Sequence, residues 1–128
     1  MSDEIQLFDE QPIGRMPNRP LSDARIADYR VLPWPDGTRV TVEMGMTPFR
    51  EFPDFDVLIV NEAGEIIKQS SMVASMERRP APTIWLPKLD KGTPLLAVMQ
   101  IMANGAVLQA IEVPFVVGGP IIKAEIKN

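Results

Sequence analysis

The residues of this chain that are best spaced for chemistry are three carboxylates in the stretch TPFREFPDFD, residues 47–56. Glu51, Asp54 and Asp56 offer the hard oxygen ligands that calcium prefers. Calcium loops usually add further carboxylate and carbonyl ligands in a tight run, often with glycine, and this stretch has no glycine. We therefore predict no metal site here and interpret Asp54 and Asp56 as the polar side of an incoming strand.

Catalytic chemistry is restricted by two missing residue types. The 128 residues include no cysteine and no histidine, which excludes thiolate nucleophiles, zinc sites built from these ligands and imidazole bases. The sequence contains no phosphate loop, no dinucleotide fingerprint and no Gly-x-Ser-x-Gly elbow. We predict a protein that is not an enzyme and binds no cofactor. The remaining catalytic alternative is a carboxylate enzyme using scattered residues such as Glu43, Glu77, Asp90 and Glu112.

The same stretch carries three phenylalanines spaced three residues apart, which raises the possibility of ligand binding. The spacing suits one face of a helix, but Pro48 and Pro53 oppose a single regular helix. In a loop at the end of a β-sandwich, rings that remain outside the core form a binding tip. The candidate contacts for a ligand or partner are Phe49, Phe52 and Trp34, with Trp85 as an alternative to Trp34.

Charge and composition limit the classes of partner. The formal net charge is −4, and Arg78–Arg79 is the only adjacent basic pair, so we predict no nucleic-acid groove. The share of apolar residues, 45%, is ordinary for a soluble globular protein and argues against disorder of the whole chain. The acidic segment MSDEIQLFDEQPIGR has no apolar core, so we predict no secretory signal and a cytoplasmic location.

The elements that must position these residues are short apolar runs separated by turns, the pattern of an all-β sandwich. A first strand near 26–32 ends at PWPDG, and residues 38–46 alternate between apolar and polar side chains. NEAG, residues 61–64, predicts a hairpin turn, whereas residues 71–82 fit either a strand or a short helical turn. Asn104-Gly105 divides the apolar stretch 94–117 into a predicted hairpin, with a soluble helix or a membrane span as the alternatives.

A Leu-x-x-Gly turn, Leu89 to Gly92, leads into this long apolar hairpin. Over roughly 60 to 90 residues the chain resembles immunoglobulin-like and fibronectin-type-III-like domains. The resemblance implies an antiparallel sandwich of about seven strands. The cysteine pair and the tyrosine corner of antibody domains are missing, so the resemblance implies a fold and no function.

We divide the chain into three parts. Residues 1–25 contain several prolines and no hydrophobic period, and they read as an extended arm. Residues 26–117 form the predicted sandwich domain. Residues 118–128 form a tail in which Ile122, Ala124 and Ile126 alternate with charged residues. This tail either adds a strand to its own sheet, exchanges with a neighbour or stays frayed.

Two strands are apolar on both faces, which an exposed sheet should avoid. We therefore predict that one sheet face is covered by a second copy of the chain in a homodimer, or by another protein partner. The alternative is that residues 1–25 cover it. The favoured function is a non-enzymatic interaction module, with a carbohydrate- or peptide-binding sandwich using the 47–56 loop as the alternative. The candidate interface residues are Leu58, Val60, Leu95, Ala97, Met99 and Ile101.

Overall fold

Eight strands in two antiparallel sheets make up the part of the chain that a computed structural model describes, residues 23–73 and 75–126. The first sheet has the order β5-β2-β1-β8 and the second β4-β3-β6-β7, and one hydrophobic core lies between them. The predicted all-β antiparallel sandwich is confirmed: seven of the eight strands lie within residues 26–117, and the eighth lies in the tail. The strands are β1 (Ile26–Pro33), β2 (Arg39–Met46), β3 (Asp54–Val60), β4 (Ile66–Met72), β5 (Thr83–Trp85), β6 (Pro94–Ala103), β7 (Ala106–Val116) and β8 (Ile122–Glu125).

Strand β2 shows how alternation builds the core. Val40, Val42 and Met44 are fully buried, while the residues between them lie on the outer face of the first sheet. Successive side chains of a strand point to opposite faces, so one apolar residue in two is enough to cover the inner face. The polar residues left outside, among them Arg39 and Glu43, therefore lie on one surface.

The apolar stretch 94–117 is a hairpin of β6 and β7, as predicted. Asn104 and Gly105 both adopt positive φ, 52° and 79°, and Ala103 pairs with Ala106. Two consecutive positive φ values are what a type I′ turn requires, and Asn-Gly adopts them at low cost. The described residues contain no helix that is both long enough and apolar enough to cross a membrane.

Residues 78–82 lie beside β2, on the same side of that strand as β5. The backbone N–H groups of Val42, Met44 and Met46 donate to the carbonyls of Pro82, Pro80 and Arg78, at 2.8–3.0 Å. Two of these three acceptor residues are prolines, which have no N–H to donate in return. The segment therefore covers β2 while presenting few donors of its own.

The register of the second sheet places the candidate interface residues on two different faces. Val57 pairs with Met99 and Ile59 with Ala97, and all four side chains point into the core. The outward residues of the same strands are Leu58 and its neighbours on β3 and β6. The six candidate interface residues therefore do not share one face: Leu58 and Val60 lie outside, whereas Leu95, Ala97, Met99 and Ile101 lie between the sheets. Both faces of β6 are apolar, so its own alternation did not indicate which one points inward.

The tail adds β8 to the first sheet, where it pairs with β1. Val31 pairs with Ile122 and Tyr29 with Ala124, and Ile126 N–H donates to the Ala27 carbonyl at 2.7 Å. Of the alternatives for this segment, the structure has the strand in its own sheet. The predicted arm, residues 1–25, lies outside the described residues except for 23–25. The prediction that this arm covers a sheet face therefore also concerns residues outside the described part of the chain.

Candidate functional site

Two tryptophans and an arginine form a stack on the outer surface of the first sheet. The guanidinium carbon of Arg39 lies 3.8 Å from the ring centroid of Trp34 and 4.0 Å from that of Trp85. Arg39 and Trp85 are direct partners in the β2–β5 ladder, and the Trp34 N–H donates to the Arg39 carbonyl at 3.0 Å. These backbone contacts place both indoles against one cation, and we call the three residues the Trp–Arg–Trp stack.

Hydrogen bonds along the sheet surface fix the orientation of Trp34. Its Nε1 donates to Thr41 Oγ1 at 3.0 Å, and Thr41 Oγ1 lies 2.8 Å from Thr83 Oγ1. Thr41 and Thr83 are cross-strand partners, one step along the same outer face from Arg39 and Trp85. The polar edge of the indole is thereby used within the protein, and its apolar surface remains for other contacts.

The turn between β1 and β2 holds the arginine. Asp36 Oδ1 accepts from the Thr38 N–H at 3.0 Å and from its hydroxyl at 2.7 Å, and Asp36 Oδ2 lies 3.9 Å from Arg39 Nη2. These two bonds from Thr38, the backbone one first, lower the pKa of Asp36, and the charges of Arg39 and Lys91 act in the same direction. Asp36 therefore stays ionised beside the stack at neutral pH.

Each indole offers one free face to a groove. Arg39 lies over both rings, and two separate grooves are lined by Trp34 and by Trp85, neither of them by Arg39. Trp34 is 37% exposed and Trp85 58%. The Trp34 groove, about 490 Å³, is walled by residues 32–35 and 119–121; the Trp85 groove, about 520 Å³, is walled by residues 36–38 and 85–91. Such volumes are in the usual range of about 300–1,000 Å³ for small-ligand sites.

The predicted loop contact is at the other end of the domain. Phe49 and Phe52 meet edge to face, with centroids 6.4 Å apart, and the guanidinium carbon of Arg78 lies 5.6 Å from the Phe49 centroid. Phe52 is 50% exposed, whereas Phe55 is buried in the core. The structure thus brings Phe49 and Phe52 together but not Trp34, because the eight-residue strand β2, roughly 25 Å long, separates the two ends.

The carboxylates singled out in the sequence do not converge. Asp54 and Asp56 lie on the outer face of β3, in alternation with the buried residues of that strand. Glu43 lies on the first sheet, where its oxygens are 3.2 Å from Arg30 Nη1 and 3.2 Å from Arg79 Nε. Within the described ranges no three acidic side chains are grouped closely enough to hold a metal ion.

Arg79, one of the two adjacent arginines, pairs with carboxylates on the outer face of the first sheet. Its Nη2 donates to Asp28 Oδ1 at 2.8 Å, and this bond, followed by the one to Glu43, raises the pKa of Arg79. The side chain crosses the sheet at Gly45, where a Cβ would collide with Arg79 and Asp28. A glycine inside an alternating strand is a signal of such a close approach, and it was available in the sequence.

Sequence reasoning also missed Arg39, although it named both tryptophans. Trp34 and Arg39 flank the Pro-Asp-Gly turn, so the sequence could have predicted that they lie close together across a hairpin. Trp85 joins them only through the β2–β5 ladder, whose partners are more than forty residues apart in the chain. No local pattern indicates that pairing.

The chain matches no protein-family model, and a search of curated proteins returns no similar sequence. Function is therefore inferred from the chemistry of the Trp–Arg–Trp stack and of the two grooves that flank it.

Proposed function

We propose that this domain is a non-enzymatic recognition module that binds its ligand through the Trp–Arg–Trp stack. The observation that carries the proposal is the fixed position of two exposed indoles on either side of Arg39. Tryptophan and arginine dominate the energetics of protein binding sites, and rings held in place before binding lose little entropy when they are covered. The sequence analysis gave ligand binding by the 47–56 loop as the alternative function. The present proposal keeps ligand binding but assigns it to the opposite end of the sandwich.

The first test is a ligand screen with a matched pair of variants. Wild type, Trp85→Ala and Phe52→Ala are each screened against a displayed random-peptide library and a glycan array. Ligands selected by wild type should bind Trp85→Ala at least about 30-fold more weakly, since a hot-spot truncation costs about 2 kcal/mol or more. Phe52→Ala, which removes an equally prominent ring at the other end, should bind as wild type does.

The chain contains two tryptophans, and both belong to the stack, so a shift of tryptophan emission reports contact at this site. Ligands that bind wild type and Trp85→Ala with equal affinity, or that lose affinity only in Phe52→Ala, would contradict the proposal. Retained thermal unfolding of each variant shows that a loss of binding is not a loss of fold.

A second candidate function is self-association through the outer face of the second sheet. Ile66, Val60, Leu96 and Pro114 are neighbours in one row across its four strands, and Ile66 is 58% exposed. The next row contains Leu58. The first of these two rows contains no charged residue, and two-fold pairing of one patch is the commonest oligomer geometry.

We expect wild type to sediment as a dimer at micromolar concentration if this second function holds, and Val60→Glu to sediment as a monomer because a carboxylate would be buried at the centre of the patch. Lys68→Glu is the matched control on the neighbouring strand, since Lys68 is already exposed and charged. A monomeric wild type would eliminate this function and leave the stack untouched.

We further propose that the sandwich is of the immunoglobulin-like or fibronectin-type-III-like kind. The chain crosses between the two sheets four times, after β2, β4, β5 and β7, and such crossings are typical of Greek-key sandwiches. The fold type carries no function by itself. The cytoplasmic location indicated by the sequence stays a prediction.

A further inference from the structure

We infer that the Trp85 groove is a saccharide-binding site, in which a sugar ring stacks on the free face of Trp85 and its hydroxyls contact Asp36, Asp90, Lys88 and Lys91. The inference rests on the proposed function and names the class of ligand. It depends on three features of the groove: an open indole face, donors and acceptors together, and a carboxylate and a turn that are held in place before a ligand arrives.

The stacking surface is the indole face that Arg39 leaves free. Arg39 lies over the Trp85 ring, 4.0 Å from its centroid, and the groove is lined by Trp85 but not by Arg39. We therefore assign the stacking surface to the ring face opposite Arg39. A pyranose ring has a face made of C–H groups, which carry a small positive charge. Such a face packs flat against the electron-rich face of an indole.

The polar groups around this ring match hydroxyl groups. The side chains of Asp36 and Asp90 accept hydrogen bonds only, and those of Lys88 and Lys91 donate only. A hydroxyl both donates and accepts, so a ring carrying several hydroxyls satisfies the two kinds of group at once. A purely apolar ligand would use neither kind of group.

The Trp34 groove has different chemistry. Its walls include Pro33, Pro35 and Pro120, which have no N–H, beside the exposed side chain of Ile121. The Nε1 of Trp34 is already bonded to Thr41. The two grooves therefore present similar rings in unlike surroundings, and the donor and acceptor groups that a sugar needs lie on the Trp85 side.

Two glycines leave room for the Lys91 side chain. A Cβ on Gly118 would come within 3.2 Å of Lys91 Cγ, and one on Gly37 within 3.5 Å. Both glycines adopt positive φ, which side-chain-bearing residues rarely do, so the slot for the lysine stem is built into two turns. The stem packs in this slot, and its ammonium is close enough to Asp36 to act on that carboxylate.

Hydrogen bonds hold Asp36 and the turn that carries Asp90. Asp36 is held by the two bonds from Thr38, and the Asp90 carbonyl accepts from the Thr93 hydroxyl at 2.6 Å and the Thr93 N–H at 3.1 Å. The turn that carries Asp90 and Lys91 is tied to the residue that follows β7 by the bond from Gly92 N–H to the Val117 carbonyl at 2.8 Å. Groups held in this way lose little entropy on binding.

The experiment uses the wild-type chain, whose two tryptophans both belong to the stack. Its emission is followed during titration with maltose, cellobiose, lactose and N,N′-diacetylchitobiose, and a glycan array extends the set. We expect at least one saccharide to change the emission saturably, with half-saturation at millimolar concentration or below.

Two variants then separate the roles of the groups, with binding measured by calorimetry. Trp85→Ala should abolish binding of that saccharide. Lys91→Met keeps most of the packed stem and removes the donor, so it should weaken binding about tenfold, as loss of a hydrogen bond from a charged group does. Lys123→Met, a lysine of β8 outside the groove, is the matched control and should not change the affinity.

The outcomes distinguish this inference from the proposed function on which it rests. Saccharide binding that Trp85→Ala or Lys91→Met leaves unchanged overturns the inference. Trp85-dependent binding of displayed peptides, with no response to any saccharide, also overturns it and leaves the recognition function standing. If neither peptides nor saccharides depend on Trp85, both are overturned.

Discussion

Replacing Phe55 by alanine is expected to lower the free energy of unfolding by about 3–5 kcal/mol, the usual cost of deleting a buried phenylalanine ring. Phe55 is among the largest fully buried side chains, and its ladder partners on either side are Met72 and Ile101. The neighbouring strands are fixed by their own pairing, so they cannot close around the cavity that alanine would leave. Equilibrium unfolding in urea measures the change.

Phe52→Ala is the matched control for this prediction, because it removes the same ring three residues away. Phe52 is half exposed and touches Phe49 in the loop, so we expect a change of about 1 kcal/mol or less. Equal losses of unfolding free energy in the two variants would contradict the placement of Phe55 in the core and of Phe52 in the loop. The pair also decides which part of TPFREFPDFD is structural and which part is free for contact.

Met99→Ala is expected to lower the free energy of unfolding by about 2–5 kcal/mol without changing the mass of the particle in solution. Met99 is fully buried between the sheets and pairs with Val57 on β3. The sequence placed this side chain at a subunit interface, where truncation would change association rather than the stability of the folded chain. Urea unfolding and sedimentation, measured on the same sample, separate the two.

Leu58→Ala serves as the comparison, since Leu58 follows Val57 on β3 and points to the opposite face. Leu58 is only partly buried, so its truncation should cost less than half as much as that of Met99. If Leu58→Ala proves the more destabilising change, the faces of β3 and β6 are reversed. If Met99→Ala dissociates a dimer and leaves unfolding unchanged, the original interface prediction is restored.

The sequence by itself determined the elements whose causes are local. The strict alternation of β2, the Asn-Gly turn between β6 and β7 and the turn at Asn61–Gly64 each depend on residues within a few positions of one another. Gly64 adopts the positive φ, 83°, that such a turn needs, and Asn61 Oδ1 accepts from the N–H groups of Ala63 and Glu65. Period and turn chemistry act over such short distances, which is why the sandwich could be predicted.

Only the tertiary structure decided which residues meet across distant strands. Both faces of β6 are apolar, so the sequence pattern of this strand does not show which face points inward. The inward face follows from the register of β6 with β3. The Trp–Arg–Trp stack requires β5 to pair with β2 so that Trp85 lies opposite Arg39. Residue type and spacing indicated aromatic binding contacts and no catalytic centre. Their grouping depends on strand order and register, which are set by packing of the whole core rather than by any short run of sequence.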